Sequence, residues 1–284
     1  NEIPECTAPY TAPGLKSTQA LPEFYQGATA DYVKVDGKWV DGMAQDNMLT
    51  ALQNLQDAYT AGLIDQEAIT NTTSSCRDEW YAGTVGCFPY WGGLWGETLT
   101  VRLKQNVPDA EVIALPPIEG ATYLYSAPSV QVISSKLSDE QVASVYKYFI
   151  EYMHDGGEGQ VLFQSGVEGV HWQQSGNNID PLPTISKPAE AFRKAWITPW
   201  LALTPMTATD KNVEVSQEVT DSLAVVSANA KNISVFPVSE QRTMITSDLT
   251  TTRENIISRV AMGQLTPEEG MAEYKAQAET LNVA

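Results

Sequence analysis

A short apolar segment that runs into a glycine-rich aromatic loop is the feature that most constrains how this chain can fold. Residues 84–88 (TVGCF) predict a buried strand, and residues 89–95 (PYWGGLW) form the loop that follows it. A helix is then predicted to about Asn106, and residues 111–115 predict a further strand. A strand, a loop, a helix and a second strand in this order indicate an α/β fold.

Local signals predict several other elements in the first half of the chain. Residues 33–40 predict a hairpin with an Asp-Gly turn, and residues 75–82 predict a short helix. Asp46 is the predicted N-cap of a longer helix, and Gly62 is its predicted stop. The apolar face of that helix follows helical spacing and consists of Met48, Leu52, Leu55 and Tyr59.

The second half of the chain is predicted to contain a β-rich stretch, a loop and several helices. Residues 123–134 are rich in β-forming residues, and Ser138 begins a helix through a Ser-x-x-Gln capping box. Residues 165–188 predict a long loop, and the chain from residue 189 onward is predicted to be mostly helical, with a clear start at Thr266. The helix after Ser138 has a predicted apolar face of Val142, Val145, Phe149 and Tyr152.

The charge of the chain narrows the class of partner. Its 284 residues carry a formal net charge of −18, from 35 acidic and 17 basic side chains. Binding to nucleic acid or to an anionic membrane surface draws on clustered Lys and Arg, so neither partner is expected. No stretch of the sequence approaches the ~20 apolar residues of a membrane span.

The three cysteines leave two alternatives open. Cys76 and Cys87 are close enough in sequence to form a small disulfide-closed loop, and two free thiols are the alternative. Cys6 is left over in the first case. No Cys/His cluster has zinc spacing, so no metal and no cofactor is expected.

Enzymatic chemistry has weaker support in the sequence. The two histidines, His154 and His171, come without a nucleophile motif, and no phosphate-binding glycine motif is present. Paired carboxylates remain open, because a glycoside hydrolase or lyase needs only two, at any spacing in sequence. The candidate carboxylates are Glu79, Glu97, Glu151 and Glu168. A surface interaction protein without a small-molecule cleft is a third class.

The aromatic loop carries the functional prediction. Ligands of open α/β sheets bind outside the carboxyl ends of strands, where Tyr90, Trp91 and Trp95 are expected to lie. An indole face covers the flat C–H side of a sugar ring, and Gly92 and Gly93 allow a ligand to approach the backbone. Because aromatic residues outnumber arginines in the loop, the favoured ligand is a neutral oligosaccharide.

A second aromatic candidate lies in the polar stretch 168–172 (EGVHW). Trp172 could be a second stacking wall for the ligand, or an apolar plug that holds the loop to the body of the protein. The residues around it favour neither alternative.

Several stretches follow one another in an order that is more specific than any one of them. They are residues 58–65 (AYTAGLID), 83–86 with 89–91 (GTVG and PYW), 106–111 (NVPDAE), and 159–160 with 165–172 (GQ and SGVEGVHW). In this order they resemble the bacterial family 1 extracellular solute-binding proteins, in particular the long lipoproteins that serve oligosaccharide ABC importers. The resemblance covers most of residues 45–175 and, more loosely, 240–282.

The resemblance implies a type II periplasmic-binding fold, with two α/β lobes joined by a hinge and the ligand held in the cleft between them. It implies an extracellular component, lipid-anchored or periplasmic, that captures a carbohydrate by closure and delivers it to ABC permease subunits without breaking a bond. The strand near Tyr125 would be a hinge crossing. The ligand-binding residues predicted from the loop and from the resemblance are Tyr90, Trp91, Trp95, Glu97, Tyr125 and Trp172.

The sequence departs from that family in one large way. It contains no counterpart of the first lobe with its secretion signal and lipid-attachment cysteine. We therefore expect the chain to be the C-terminal part of such a protein, with the missing N-terminal lobe as a partner. The predicted segments are 1–127 in the second lobe, 128–175 crossing to the first lobe, and 176–284, mostly helical, returning to the second lobe.

Overall fold

Two units, one of them assembled from both ends of the sequence, make up the structure, which is a computed structural model. It describes residues 6–16, 18, 20–117, 124–125, 132–182, 207–211, 216–232, 237 and 239–283. The first unit comprises Asn1–Ala127 and Gln217–Ala284, and the second comprises Pro128–Ser216. The division into three segments stays a prediction, and its boundary at residue 175 falls inside the second unit.

Short strands and longer helices alternate along the described residues. In chain order the strands are β1 (Ala8–Tyr10), β2 (Tyr32–Val35), β3 (Lys38–Asp41), β4 (Val85–Cys87), β5 (Leu124–Tyr125), β6 (Trp172–Ser175), β7 (Asn178–Pro181) and β8 (Lys231–Asn232). The helices are α1 (Pro22–Tyr25), α2 (Asn47–Thr60), α3 (Thr73–Ala82), α4 (Leu94–Asn106), α5 (Asp139–Val145), α6 (Glu158–Ser165), α7 (Gln217–Asn229), α8 (Glu240–Ala261) and α9 (Pro267–Thr280). A 3₁₀ turn spans Gly42–Ala44, and a π-helix, Tyr146–Glu151, continues α5. This mixture is the predicted α/β class, and none of the described helices is long and apolar enough to cross a membrane.

Parallel pairing in the first unit brings distant parts of the chain to one sheet edge. β1 pairs in parallel with β4, with Tyr10 opposite Cys87. A parallel bridge joins Tyr10 to Ile64 as well. The strand predicted at residues 84–88 is confirmed as β4, and the helix predicted after the aromatic loop is confirmed as α4. A second parallel pair joins β5 to β8.

Two antiparallel hairpins complete the sheets of the described residues. The predicted hairpin is confirmed as β2 and β3, and its turn residues Asp36 and Gly37 have φ angles of 49° and 78°. A type I′ turn requires positive φ at both positions, which Asp-Gly adopts readily. The hairpin of β6 and β7 shows that a loop over residues 165–188 was the wrong prediction for residues 172–181. Its strands, WQQS and NIDP, are mostly polar and show no clear apolar alternation.

The core of the first unit is formed largely by α2, α8 and α9. All four residues of the predicted α2 face are buried, which confirms that prediction. Residues of α8, among them Ile256 and Val260, join the same cluster. The predicted start of α9 is also confirmed, because the Thr266 hydroxyl accepts the Glu269 N–H at 3.1 Å. At Gly270 a Cβ would lie 2.5 Å from Val260 Cγ2, so α9 can approach α8 this closely only with glycine there.

A buried ion pair ties β3, α8 and α9 together. Arg253 is 3% exposed, and its Nη2 donates to Asp41 Oδ1 at 2.6 Å. The Tyr274 hydroxyl donates to the other carboxylate oxygen of Asp41 at 2.5 Å and accepts from Arg253 Nε at 3.1 Å. A buried charge is tolerated when it is paired and hydrogen-bonded in this way. No local pattern in the sequence predicts this cluster.

The helix after Ser138 is only partly as predicted. Its capping box is confirmed, since Ser138 Oγ accepts the Gln141 N–H at 3.3 Å and Gln141 Oε1 accepts the Ser138 N–H at 3.0 Å. Its predicted apolar face is left uncovered, and no residue of α5 or of the π-helix that follows is buried. Phe149 is 47% exposed and meets the Phe163 ring edge-on at 5.1 Å. Helical spacing put these residues on one face, but no other described element covers it.

Two further predictions are corrected or fall outside the described residues. Residues 111–115 form no strand, and Ile113 and Leu115 are exposed, because no neighbouring strand pairs with this stretch in the described part of the chain. Among the described residues of the β-rich stretch 123–134, β5 is the one strand, and residues 123 and 126–131 lie outside the described residues. The same holds for residues 189–206 of the predicted helical region, whereas α7, α8 and α9 are confirmed as helices.

The disulfide between Cys76 and Cys87 is not formed, and Cys6 is not part of a disulfide either. The two cysteines face different surroundings. Cys76 is buried on α3 with its Sγ 3.5 Å from the Thr11 hydroxyl oxygen, whereas Cys87 on β4 packs against the core cluster. Burial raises the pKa of both thiols, that of Cys87 to about 11.

Candidate functional site

The candidate site lies at the carboxyl edge of the parallel strands in the first unit. Thr11 follows β1 directly, Phe88 follows β4, and Asp65 follows the residue that bridges to Tyr10. Backbone hydrogen bonds hold this edge, because the Thr11 N–H donates to the Cys87 carbonyl at 3.2 Å and the Asp65 N–H donates to the Tyr10 carbonyl at 2.8 Å. In open α/β sheets this edge is where ligands bind.

A network of polar side chains occupies one part of this edge. The buried Thr11 hydroxyl donates to Glu79 Oε2 at 2.6 Å. The amide nitrogen of Asn71 donates to Asp65 Oδ2 at 2.6 Å and to Glu79 Oε1 at 3.1 Å. This amide therefore bridges two carboxylates and offsets their repulsion. Glu79 is one of the carboxylates predicted as candidates, but its partners were not predicted, since Thr11 lies 68 residues away in sequence.

A row of aromatic rings in contact with one another occupies the other part of the edge. Phe88 stacks on Tyr90 with 4.9 Å between ring centroids, and Trp95 meets Tyr90 at right angles at 5.0 Å. Trp80 of α3 lies 6.3 Å from Phe88 and donates its indole N–H to the Leu99 carbonyl of α4 at 3.3 Å. Offset and edge-to-face pairs are the favourable arrangements of such rings. Tyr90 and Trp95 are thus fixed by their neighbours.

Trp91 differs from the other aromatic residues of the loop. Its side chain is 58% exposed, whereas Tyr90 and Trp95 are half-buried. Trp95 also carries the Arg77 guanidinium over its ring, 5.4 Å from the centroid, which occupies one of its faces. Of the three aromatic residues predicted to face a ligand, Trp91 therefore has the indole that a ligand can reach most freely.

The two glycines of the loop have a packing role that the sequence did not reveal. A Cβ at Gly92 would lie 2.9 Å from Ser222 Oγ and 3.0 Å from Val226 Cγ2, both on α7. Gly93 has a φ of 70°, and its N–H donates to Ser222 Oγ at 2.9 Å. The close approach of α7 therefore favours glycine at position 92, the positive φ favours glycine at position 93, and the hydrogen bond to Ser222 holds the loop to α7.

No protein-family model and no curated protein sequence matches this chain. Among solved structures, it is similar to a crystal structure of the alginate-binding protein AlgQ2 without calcium ion, with a TM-score of 0.63 and 14% sequence identity. The chain has a periplasmic-binding-protein-like fold. The match covers 100% of this chain and 62% of AlgQ2, so this periplasmic-binding-like chain spans less than two thirds of that protein's length. At this identity the likeness concerns the fold alone, and membership of family 1 stays a prediction.

Two further residues that were predicted to bind the ligand, Glu97 and Tyr125, lie on different elements of the first unit. Glu97 is half-buried in the first turn of α4, directly after the loop. Tyr125 lies in β5, where its backbone pairs with Asn232, and its side chain lies outside the described part of the structure. Tyr90, Trp91, Trp95 and Glu97 are therefore brought together, while a ligand role for Tyr125 stays a prediction.

Trp172 belongs to the second unit and is a core residue. It is 3% exposed and clusters with Val161 and Ile179, and its indole N–H donates to the Gly166 carbonyl at 2.9 Å. Of the two alternatives, the apolar plug is the one that the structure supports. The expected role as a stacking wall is corrected, because neither face of a buried indole is available to a sugar.

Proposed function

We propose that this chain is a solute-binding protein that captures a carbohydrate at the aromatic loop of its first unit. The observation that carries the proposal is the exposed Trp91 indole at the carboxyl edge of the parallel strands, beside rings that are already fixed. A protein that needed this side chain only for stability would gain more by burying it. The printed name of AlgQ2, an alginate-binding protein, supports a sugar-type ligand on this fold.

In the proposed complex, an aromatic ring contacts the apolar face of the sugar, and polar groups bind the hydroxyl groups at its edges. The Trp91 indole covers the C–H face of one sugar ring, and stacking of this kind removes a large apolar area from water. Glu97, in the first turn of α4, accepts hydrogen bonds from sugar hydroxyl groups. Tyr90 and Trp95 position the loop, so that little conformational entropy is lost when the ligand binds.

The finer proposal is that capture occurs by closure of two lobes and serves an ABC importer at the cell surface or in the periplasm. AlgQ2 is a longer chain, 38% of which has no counterpart here, and we propose that a missing N-terminal lobe supplies the other wall of the cleft. The second unit supports this proposal, because its described buried apolar cluster has three members while Tyr146, Tyr148 and Phe149 of the π-helix after α5 are exposed. ABC permease subunits are the proposed receivers of the closed form.

The test of the proposed function must separate binding from turnover, since a glycan hydrolase or lyase is the alternative. The purified chain is titrated by calorimetry with a panel of neutral and acidic oligosaccharides, and each mixture is then examined for cleavage products. We expect saturable binding of at least one oligosaccharide with no product. Release of shortened or unsaturated sugars would instead favour the enzyme, and absence of binding across the panel would contradict the proposal.

A further inference from the structure

Two arginines beside the aromatic loop have no carboxylate partner in the described part of the chain. Two arginines elsewhere in the first unit do form ion pairs, since Arg253 pairs with Asp41 and Arg259 pairs with Glu273. Arg77 instead donates to Ser74 Oγ at 3.1 Å and lies over the Trp95 ring. Arg102, on α4, forms no ion pair or hydrogen bond with the described residues. With 35 acidic side chains in the chain, two such arginines in one place are unexpected.

Helical spacing and packing place these arginines on facing surfaces of α3 and α4. Trp95 and Arg102 are seven residues apart on α4 and share a face, as do Arg77 and Tyr81, four apart on α3. α3 packs against α4, and the contact of Arg77 with Trp95 joins the two faces. We call Arg77, Tyr81 and Arg102 the basic group.

The electrostatics around Tyr81 agree with this placement. Burial raises the pKa of its hydroxyl, the positive charges of Arg77 and Arg102 oppose that shift, and Tyr90 and Asp78 add to it. The charges of both guanidinium groups therefore act on one hydroxyl, and the contact of Arg77 with Trp95 joins the basic group to the aromatic loop. Among these groups Asp78 is the carboxylate, and its negative charge raises the pKa of Tyr81.

An arginine without an ion pair is suited to a carboxylate ligand. Its planar guanidinium presents paired N–H donors that match both oxygens of a carboxylate, and stacking on an indole fixes its orientation in advance. The overall negative charge opposes anions only weakly at this position, because charges more than about 8 Å away are largely screened at physiological salt. A neutral sugar would leave these donors to water.

We propose that the basic group binds the carboxylate of an acidic sugar, so that the ligand of the aromatic loop is a uronate-containing oligosaccharide. This inference rests on the proposed function and replaces the neutral ligand that the loop sequence favoured. One uronate ring lies on Trp91, and the basic group receives the carboxylate of that ring or of its neighbour. Tyr81 donates its hydroxyl to the same carboxylate.

The test compares acidic and neutral sugars of the same shape. Tetramers of mannuronate, guluronate and galacturonate are titrated by calorimetry beside the carboxyl-reduced form of each, which carries a hydroxymethyl group in place of the carboxylate. We expect one uronate tetramer to bind at least about tenfold more tightly than its reduced form, and to lose affinity as salt is raised. Equal or tighter binding of the reduced forms overturns the inference and leaves the proposed function standing. Failure of every uronate tetramer while other neutral glycans bind has the same meaning, and failure of all glycans overturns both.

Substitutions test whether Arg102 and Arg77 are the residues that bind the carboxylate. Arg102→Gln removes a charge that has no stacked partner, and we expect it to lower uronate affinity about tenfold without changing affinity for a neutral sugar. Arg77→Gln should lower it by a similar factor, while Arg77→Lys, which keeps the charge but not the paired donors, should recover only part. Arg242→Gln, on α8, removes the same charge elsewhere in the first unit and is the matched control. An equal loss in the control and in Arg102→Gln would overturn the assignment.

Discussion

The helical core and the aromatic loop of the first unit use large apolar side chains in opposite ways. In the core, Leu52 and Ile256 are fully buried. In the loop, the rings of Phe88, Tyr90 and Trp95 contact one another at the surface and leave Trp91 exposed. The core therefore provides stability, whereas the loop is a fixed support for one free indole. Substitutions in the two regions should separate stability from binding.

The largest effect is expected where a buried charge would lose its partner. Asp41→Ala removes the buried partner of Arg253 and leaves it only the exposed Asp31, whose Oδ1 lies 3.4 Å from Arg253 Nη1, so we expect a loss of about 3 kcal/mol in the free energy of unfolding. Urea denaturation of purified protein measures this loss. Glu273→Ala removes the partner of Arg259 in a pair that is partly exposed, and here the expected loss is about 1 kcal/mol or less. Similar losses in the two variants would contradict the role given to the Arg253 cluster.

The core face of α2 should show the next largest effect. Leu52→Ala removes a fully buried side chain and leaves a cavity, so we expect a loss of about 2–5 kcal/mol in the free energy of unfolding. Leu63→Ala is the control, because Leu63 is half-exposed just after the same helix, and its expected loss is below about 1 kcal/mol. Sugar affinity, measured on the folded fraction, should be unchanged in both.

A glycine substitution at the loop should affect stability and binding together. Gly93→Ala forces a side chain into a backbone conformation that alanine rarely adopts, at a cost of about 1–3 kcal/mol. Because Gly93 also holds the loop to α7, we expect weaker sugar binding. Gly96→Ala in α4 is the matched control: its Cβ would be 3.5 Å from the nearest atom, and alanine favours the helix by up to about 1 kcal/mol. A stabilised Gly93→Ala variant with normal binding would break this part of the comparison.

The smallest effect concerns alkaline pH at Cys87, next to both regions. Burial raises its pKa to about 11, so the folded chain holds the thiol proton more tightly than the unfolded chain does. The stabilising contribution is complete below pH 9 and is lost as the pH rises from about 9 to 11. In urea denaturation, Cys87→Ala should show a shallower fall in stability over this interval than the unsubstituted chain. Parallel pH profiles would contradict the burial of this thiol.

Features determined by neighbouring residues could be predicted from the sequence. The hairpin turn at Asp36, the capping box at Ser138 and the α2 face all depend on residues a few positions apart, and all are confirmed. The α5 face shows the limit of such signals. Helical spacing tells which residues share a face, but it does not tell whether another element covers that face.

Contacts between distant residues could not be predicted in the same way. Asp41 and Arg253 are 212 residues apart, and no local pattern links them. β1 has only three residues, too few to show alternation, so the strand that places Thr11 beside Glu79 was not predicted. The aromatic loop was recognised because its residues are contiguous, whereas the packing of its glycines against α7 depends on Ser222, far away in sequence.

A calorimetric titration of two Trp91 variants tests the central claim most directly. Trp91→Ala removes the exposed indole and Trp91→Phe keeps an aromatic face, and neither should change the free energy of unfolding by more than about 0.5 kcal/mol. With the tightest-binding oligosaccharide, we predict at least a tenfold loss of affinity for Trp91→Ala and a smaller loss for Trp91→Phe. Unchanged affinity in Trp91→Ala, in a protein that remains folded and binds sugar, would contradict the account.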